Sequence, residues 1–145
     1  MNSVLVVDDQ PPVREFLVRW LAPAGYETCE APDAETALTL LAGRRFDVVL
    51  CDVQMPGQGG LWLVDRLREK FPGVAIVLAT GDATVPPVVS MQSGVVDYVV
   101  KPFVRERVLE AVARAVEWGQ HAPVEHSQRP AGIDPLTQWL EKGRR

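Results

Sequence analysis

A chain of 145 residues, 47% of them hydrophobic, is long enough to bury one real core and too apolar to be disordered over most of its length. The net charge of −4, with no basic stretch interleaved with aromatics, excludes nucleic-acid binding by charge alone. No apolar segment approaches the ~20 residues a membrane helix needs.

Met1-Asn2-Ser3 carries no basic region, so the apolar run after it reads as a strand rather than a signal peptide, and the cytoplasm is the expected compartment. That first run, Val4 to Val7, ends in Asp8-Asp9. Pro11-Pro12 suits a helix start, and Val13, Phe16, Leu17, Trp20 and Ala24 recur at helical spacing along one side until Gly25. Tyr26 to Glu30 reads as a short second strand. Asp33 is the expected N-cap of a second helix with Ala34, Ala37, Leu38 and Leu41 on one face, closed by Gly43. The third strand, Val48 to Cys51, ends in Asp52, and Leu61 to Phe71 forms a third helix with Val64, Leu67 and Phe71 inward.

The fourth strand, Ala75 to Ala79, ends in Thr80-Gly81. Pro86-Pro87 opens a short fourth helix ending near Gly94, Tyr98 to Val100 is a strand that ends in Lys101-Pro102, and Val104 to Trp118 is a fifth helix with Val108, Val112, Ala115 and Val116 inward. The short, β-branched, uncharged runs read as strands covered on both faces. Alternation with helices then gives an α/β fold, (βα)5, with a doubly wound parallel sheet. Residues 119–145 are broken by Gly119, Pro123, Pro130, Gly132 and Pro135. They read as a linker or tail, or as a docking segment using Leu136, Trp139 and Leu140; His121 and His126 are solvated tail residues.

In such a sheet the functional crevice lies outside the carboxyl ends of the strands, and Asp8, Asp9, Asp52, Thr80 and Lys101 all stand at those ends. Singly, each is as readily a turn residue. Together, three carboxylates need a cation, and a hard divalent ion with oxygen ligands is the natural one. An ammonium and a hydroxyl beside them suit a phosphoryl group, and a carboxylate can serve as its nucleophile. Cys51, next to Asp52, reads as a small buried apolar residue, with redox control as the weaker alternative, and neither it nor Cys29 has metal-ligand spacing.

Asp8-Asp9, Asp52-Val53-Gln54-Met55-Pro56-Gly57, Thr80-Gly81 and Asp97-Tyr98-Val99-Val100-Lys101-Pro102-Phe103 resemble the receiver domain of two-component response regulators, and most of all receivers of the nitrogen-regulation and nitrogen-fixation kinds. The resemblance runs from about Ser3 to Trp118 and implies a receiver over residues 1–119 followed by a tail, 120–145. It implies a flavodoxin-like sheet of strand order 2-1-3-4-5. Asp52 would be the phosphoacceptor. Asp8, Asp9, Asp52 and the Gln54 backbone carbonyl would hold Mg²⁺. Thr80 and Lys101 would contact the phosphoryl group, with Thr80 and the aromatic Tyr98 as switch residues, and Lys101-Pro102 would be cis.

A sensor histidine kinase or phosphotransfer protein is the implied partner, with the chain a switch and not an enzyme on an independent substrate. No direct nucleic-acid or membrane contact is expected. Phosphorylation is expected to favour a homodimer through the fourth helix, fifth strand and fifth helix, on the strength of Val85 to Val89 and Val95-Val96 in the short helix and its exit loop, with Asp97, Arg105 and Glu106 as a polar rim; a partner domain covering the same face in a longer protein is the alternative. The chain departs from the family at Gln58-Gly59, where an apolar residue and then Asp often precede the Gly-Leu matched by Gly60-Leu61; the loop near the acceptor is thereby expected to be more mobile. Trp62 stands where the family often has a polar residue and reads either as a contact surface or as ordinary packing. Residues 119–145 are not expected to form an output domain, so the chain is read either as a single-domain regulator or as the receiver portion of a longer protein.

Other classes fit less well. A haloacid-dehalogenase-like phosphatase expects Asp-x-Asp after the first strand, where Gln10 takes the second position, and Asp8-Asp9 would repel the phosphate of a flavodoxin cofactor. An interaction module that is never phosphorylated would not require the metal ligands.

Overall fold

The computed structural model describes residues 1–81 and 94–121. Five strands, β1 (Ser3–Val7), β2 (Glu27–Ala31), β3 (Val48–Asp52), β4 (Ala75–Thr80) and β5 (Val95–Val100), pair in the order β2-β1-β3-β4-β5. All the pairings are parallel. The described helices are α1 (Pro11–Leu21), α2 (Ala34–Gly43), α3 (Gly60–Lys70) and α4 (Arg105–His121). The doubly wound sheet of order 2-1-3-4-5 is thus present as expected. The short helix expected from Pro86-Pro87 and the docking segment of the tail lie outside the described residues.

Each of β1, β3 and β4 is buried along its whole length, because helices cover both faces. On one side Leu5, Val7, Val49, Ile76 and Leu78 meet Ala37 and Leu41 of α2 and Leu63, Val64 and Leu67 of α3. On the other, Val4, Val6, Leu50, Val77 and Ala79 meet Leu17 and Leu21 of α1 and Val108, Ala111, Val112 and Ala115 of α4. The edge strand β2 is half-exposed, with only Ala31 buried.

Helix ends follow the expected local chemistry. Pro occupies the first turn of α1. The Asp33 carboxylate accepts the Thr36 amide at 2.7 Å, capping α2. One face is corrected and one gains a residue. Helix α1 ends at Leu21, so Ala24 is exposed in the turn beyond it, and Leu21 takes the buried position four residues after Leu17. In α3 Leu63 joins Val64 and Leu67 in the core, and Phe71, the C-cap, packs half-buried against it as expected. Trp62 is half-buried against the core with the Arg66 guanidinium 5.8 Å from its ring, which favours the packing role.

The grounds for a dimer face are also altered. Val95 is buried at the start of β5 instead of lying in an exit loop, and Asp97 is buried instead of forming a rim. Val85 to Val89 lie outside the described residues.

Candidate functional site

Asp8 and Asp52 are built alike. Each stands at the carboxyl end of a central strand, and each carboxylate accepts the amide two residues on. Asp8 Oδ1 takes the Gln10 N–H at 2.9 Å and Asp52 Oδ1 takes the Gln54 N–H at 3.0 Å. This is the Asx turn that makes Asp a turn residue, so the bland and the functional readings of these aspartates hold together. One oxygen bends the chain and the other is left to face the crevice.

Those second oxygens meet at one cation. Lys101 Nζ lies 3.0 Å from Asp52 Oδ2 and 3.3 Å from Asp8 Oδ2. The lysine reaches them because the ladder continues past the strand end: its N–H donates to the Thr80 carbonyl at 2.8 Å. The Lys101-Pro102 peptide is cis, as expected. Asp9 completes the group, and carboxylate oxygens of Asp8, Asp9 and Asp52 all lie within 4.8 Å of one another. Thr80, the last residue of β4, is fully buried beside this edge. Tyr98 in β5 is half-buried against the core on the α2–α3 side, opposite Leu78 of β4. Gln54, exposed, enters the site through its backbone.

Burial raises the Asp8 carboxyl above its ordinary value, and the nearby Asp52 charge adds to this, while the Gln10 amide and Lys101 oppose it. Burial alone would lower Lys101, but Asp52 and Asp8 outweigh it and hold the ammonium above the usual lysine range. A site in which burial and the Asp52 charge push the Asp8 carboxyl towards protonation is one that a hard cation would relieve. The donor set is all oxygen, and its spacing fits such an ion.

Three features were not legible in the sequence. Arg14, on the first turns of α1, donates from Nη1 to the Asp8 carbonyl at 2.6 Å and from Nε to Glu30 at 3.2 Å, tying the acidic turn to α1 and β2. Gly60 packs its backbone on the end of β3: its N–H donates to the Val53 carbonyl at 3.1 Å. A Cβ there would overlap the Asp52 carbonyl oxygen. Asp97, on β5, is 7% exposed and paired with Arg107 of α4. A Gly after the acceptor loop and an Arg six residues after Asp8 were visible signals; their partners were not. Cys51 is buried, and burial first, with Asp52 and Asp8 adding to it, pushes its thiol far up. Beside Lys101 lies a largely apolar cleft of about 490 Å³, lined by Val13, Phe16, Trp20, Pro102 and Phe103.

Residues 4–113 match the family model of the response regulator receiver domain. The chain belongs to that family. Receiver relatives include the response regulator protein FleR of Pseudomonas aeruginosa, 36% identical over 139 residues, spanning 95% of this chain and 29% of that protein. The DNA-binding transcriptional regulator NtrC of Salmonella typhimurium is 33% identical over 132 residues, 90% of this chain and 27% of the relative. Among solved structures, the response regulator TrrA of Thermotoga maritima, in complex with Mg²⁺-BeF, superposes with a TM-score of 0.72 at 34% identity, over 79% of this chain and 99% of that one. This receiver thus spans under a third of the length of FleR and NtrC. No helix among the described residues is long and apolar enough to cross a membrane.

Proposed function

We propose that this receiver accepts a phosphoryl group on Asp52 from a histidine kinase or phosphotransfer protein and thereby switches a protein-binding surface. The observation that carries the reading is the bridge from Lys101 Nζ to Asp52 at 3.0 Å and Asp8 at 3.3 Å, within a cluster that Asp9 completes. An Asp52 carboxylate oxygen forms the new P–O bond as the P–N bond of a phosphohistidine breaks, and the imidazole leaves. Lys101 neutralises charge on the phosphoryl oxygens and the Thr80 hydroxyl donates to one of them. Asp8, Asp9, Asp52 and the Gln54 carbonyl would hold Mg²⁺, which supplies charge neutralisation and alignment of the phosphoryl group. The apolar cleft flanked by Lys101 and Phe103 is where a donor protein would rest.

The new charge on Asp52 draws Thr80 towards it and Tyr98 turns inward, coupling the acceptor to the outer face of β5. Water attack on the acyl phosphate breaks its P–O bond and resets the switch, so the chain acts on itself and not on a free substrate. Incubation with acetyl phosphate and Mg²⁺, followed by intact-mass measurement, should add one phosphoryl group to the native chain and none to Asp52→Ala. Equal labelling of the variant would refute the assignment, and steady turnover of a free phosphate ester would favour a phosphatase instead.

A further inference from the structure

Strand β5 contains an irregularity that decides which way its residues face. Ile76 pairs with Val95, but Val77 pairs with Asp97, so Val96 is an extra residue. Beyond it Asp97 shares the register of Val77 and the α4 side of the sheet, while Tyr98 shares that of Leu78 and the opposite side. A carboxylate is thereby turned into a face packed by Val108, Ala111 and Val112, where a charge is costly without partners.

The partners are unusually complete. Arg107 grips Asp97 with both nitrogens, Nη1 to Oδ2 at 2.9 Å and Nη2 to Oδ1 at 2.7 Å. The Tyr98 N–H donates to Oδ1 at 2.8 Å, and Arg114 stands 3.7 Å away. The same Arg107 Nη2 also donates to the Tyr98 carbonyl at 3.0 Å, so one guanidinium holds a side chain and the adjoining main chain of β5. Burial raises the Asp97 carboxyl, but Arg107 with the Tyr98 amide and Arg114 outweigh it and hold it below the ordinary value.

Between the two halves of this clamp runs the segment that carries the site lysine. Its near end is fixed to β4 by the Lys101 N–H to Thr80 carbonyl bond, and its far end enters α4, where the Arg107 N–H donates to the Val104 carbonyl at 3.0 Å. We infer that the Asp97–Arg107 pair is a positioning device, setting the register of β5 against α4 so that Lys101 meets Asp52. A buried ion pair is weak evidence of a stabilising role, since apolar residues often replace one without loss; the fork adds a fixed geometry.

This inference rests on the phosphoacceptor reading, and its test separates the two. Labelling by acetyl phosphate and Mg²⁺ is timed in the native chain, Arg107→Leu, Lys101→Ala and the double variant, with Asp52→Ala as blank. Arg107→Leu should slow labelling about tenfold, the scale of a small misplacement of a reacting group. Its Mg²⁺ affinity should stay within about twofold, since the carboxylate ligands are untouched. Arg107→Lys, which keeps the charge but not the fork, should remain slow. Adding Arg107→Leu to Lys101→Ala should change little, because the effect runs through the lysine.

Equal slowing in both backgrounds, or none in either, overturns the inference. If Arg107→Leu does not fold, Asp97→Asn replaces it in the same cycle. Should the native chain take no label at all, the phosphoacceptor reading fails by itself. The pair is then read from the Lys101 side-chain NMR resonances, whose displacement by Arg107→Leu supports positioning and whose constancy refutes it.

Discussion

Gly60→Ala isolates the contact between the start of α3 and the end of β3. The added Cβ would overlap the Asp52 carbonyl oxygen and stand 2.9 Å from both the Asp52 carbonyl carbon and Val53 Cα, against ordinary contacts of 3.4–4 Å. All three atoms belong to backbone at the end of a buried strand, which cannot swing aside, so α3 must retreat. Overpacking of this kind costs about 1–3 kcal/mol. The Gly60 N–H to Val53 carbonyl bond at 3.1 Å would stretch as well. Its loss adds about 1 kcal/mol.

A total of about 2–4 kcal/mol corresponds to a fall in Tm of roughly 6–12 °C for a domain of this size. Gly73→Ala, where nothing lies within 4 Å, is the control, and Gly59→Ala, with the Val53 carbonyl oxygen at 3.1 Å, should fall between. Calorimetry and urea unfolding of the three variants measure the series. Gly60→Ala melting within about 1 °C of Gly73→Ala would refute the close-approach argument, since a cost this size moves Tm several degrees.

Leu21→Ala removes a fully buried side chain and should cost about 2–5 kcal/mol in urea unfolding, whereas Ala24→Ser, at an exposed turn position, should change stability by under about 0.5 kcal/mol. Cys29, half-buried, should react with a thiol reagent in the folded chain well before Cys51, which should react only on unfolding; titration with and without urea counts the two steps. Because Asp97 is held below its ordinary value of 3.8 in the folded chain, its charged form contributes stability that is present above pH 3.8 and is lost as pH falls through the lower folded value. The stability gap between the native chain and Arg107→Leu should therefore narrow in acid, as followed by urea midpoints from neutral pH downward.

The strands and the membership of the acidic cluster were legible because they depend on local signals, whereas the strand order came from the family resemblance. Apolar β-branched runs fix β1, β3 and β4, and a parallel sheet must place the residues after each run at one edge, so Asp8, Asp9, Asp52 and Lys101 could be gathered without coordinates. Pro11-Pro12 and the Asp33 cap were legible for the same reason: each satisfies its own helix end. Family resemblance supplied the cis Lys101-Pro102 peptide, which no propensity favours.

The tertiary structure decided which face or partner each remaining residue receives. Helical spacing put Ala24 on the buried side of α1, but the helix ends at Leu21, which takes that buried position instead. Period-two alternation would assign Asp97 to the face opposite Tyr98 and no more. The extra residue at Val96, and an Arg ten positions away on α4, made it a buried clamp and not an exposed rim. The reach of Arg14 to the Asp8 carbonyl and the absence of room at Gly60 likewise arise only when a helix lies on a strand end. Local chemistry is written in neighbouring residues; contacts between distant segments exist only after the chain has closed on itself, and that closure is where the geometry around Asp52 is set.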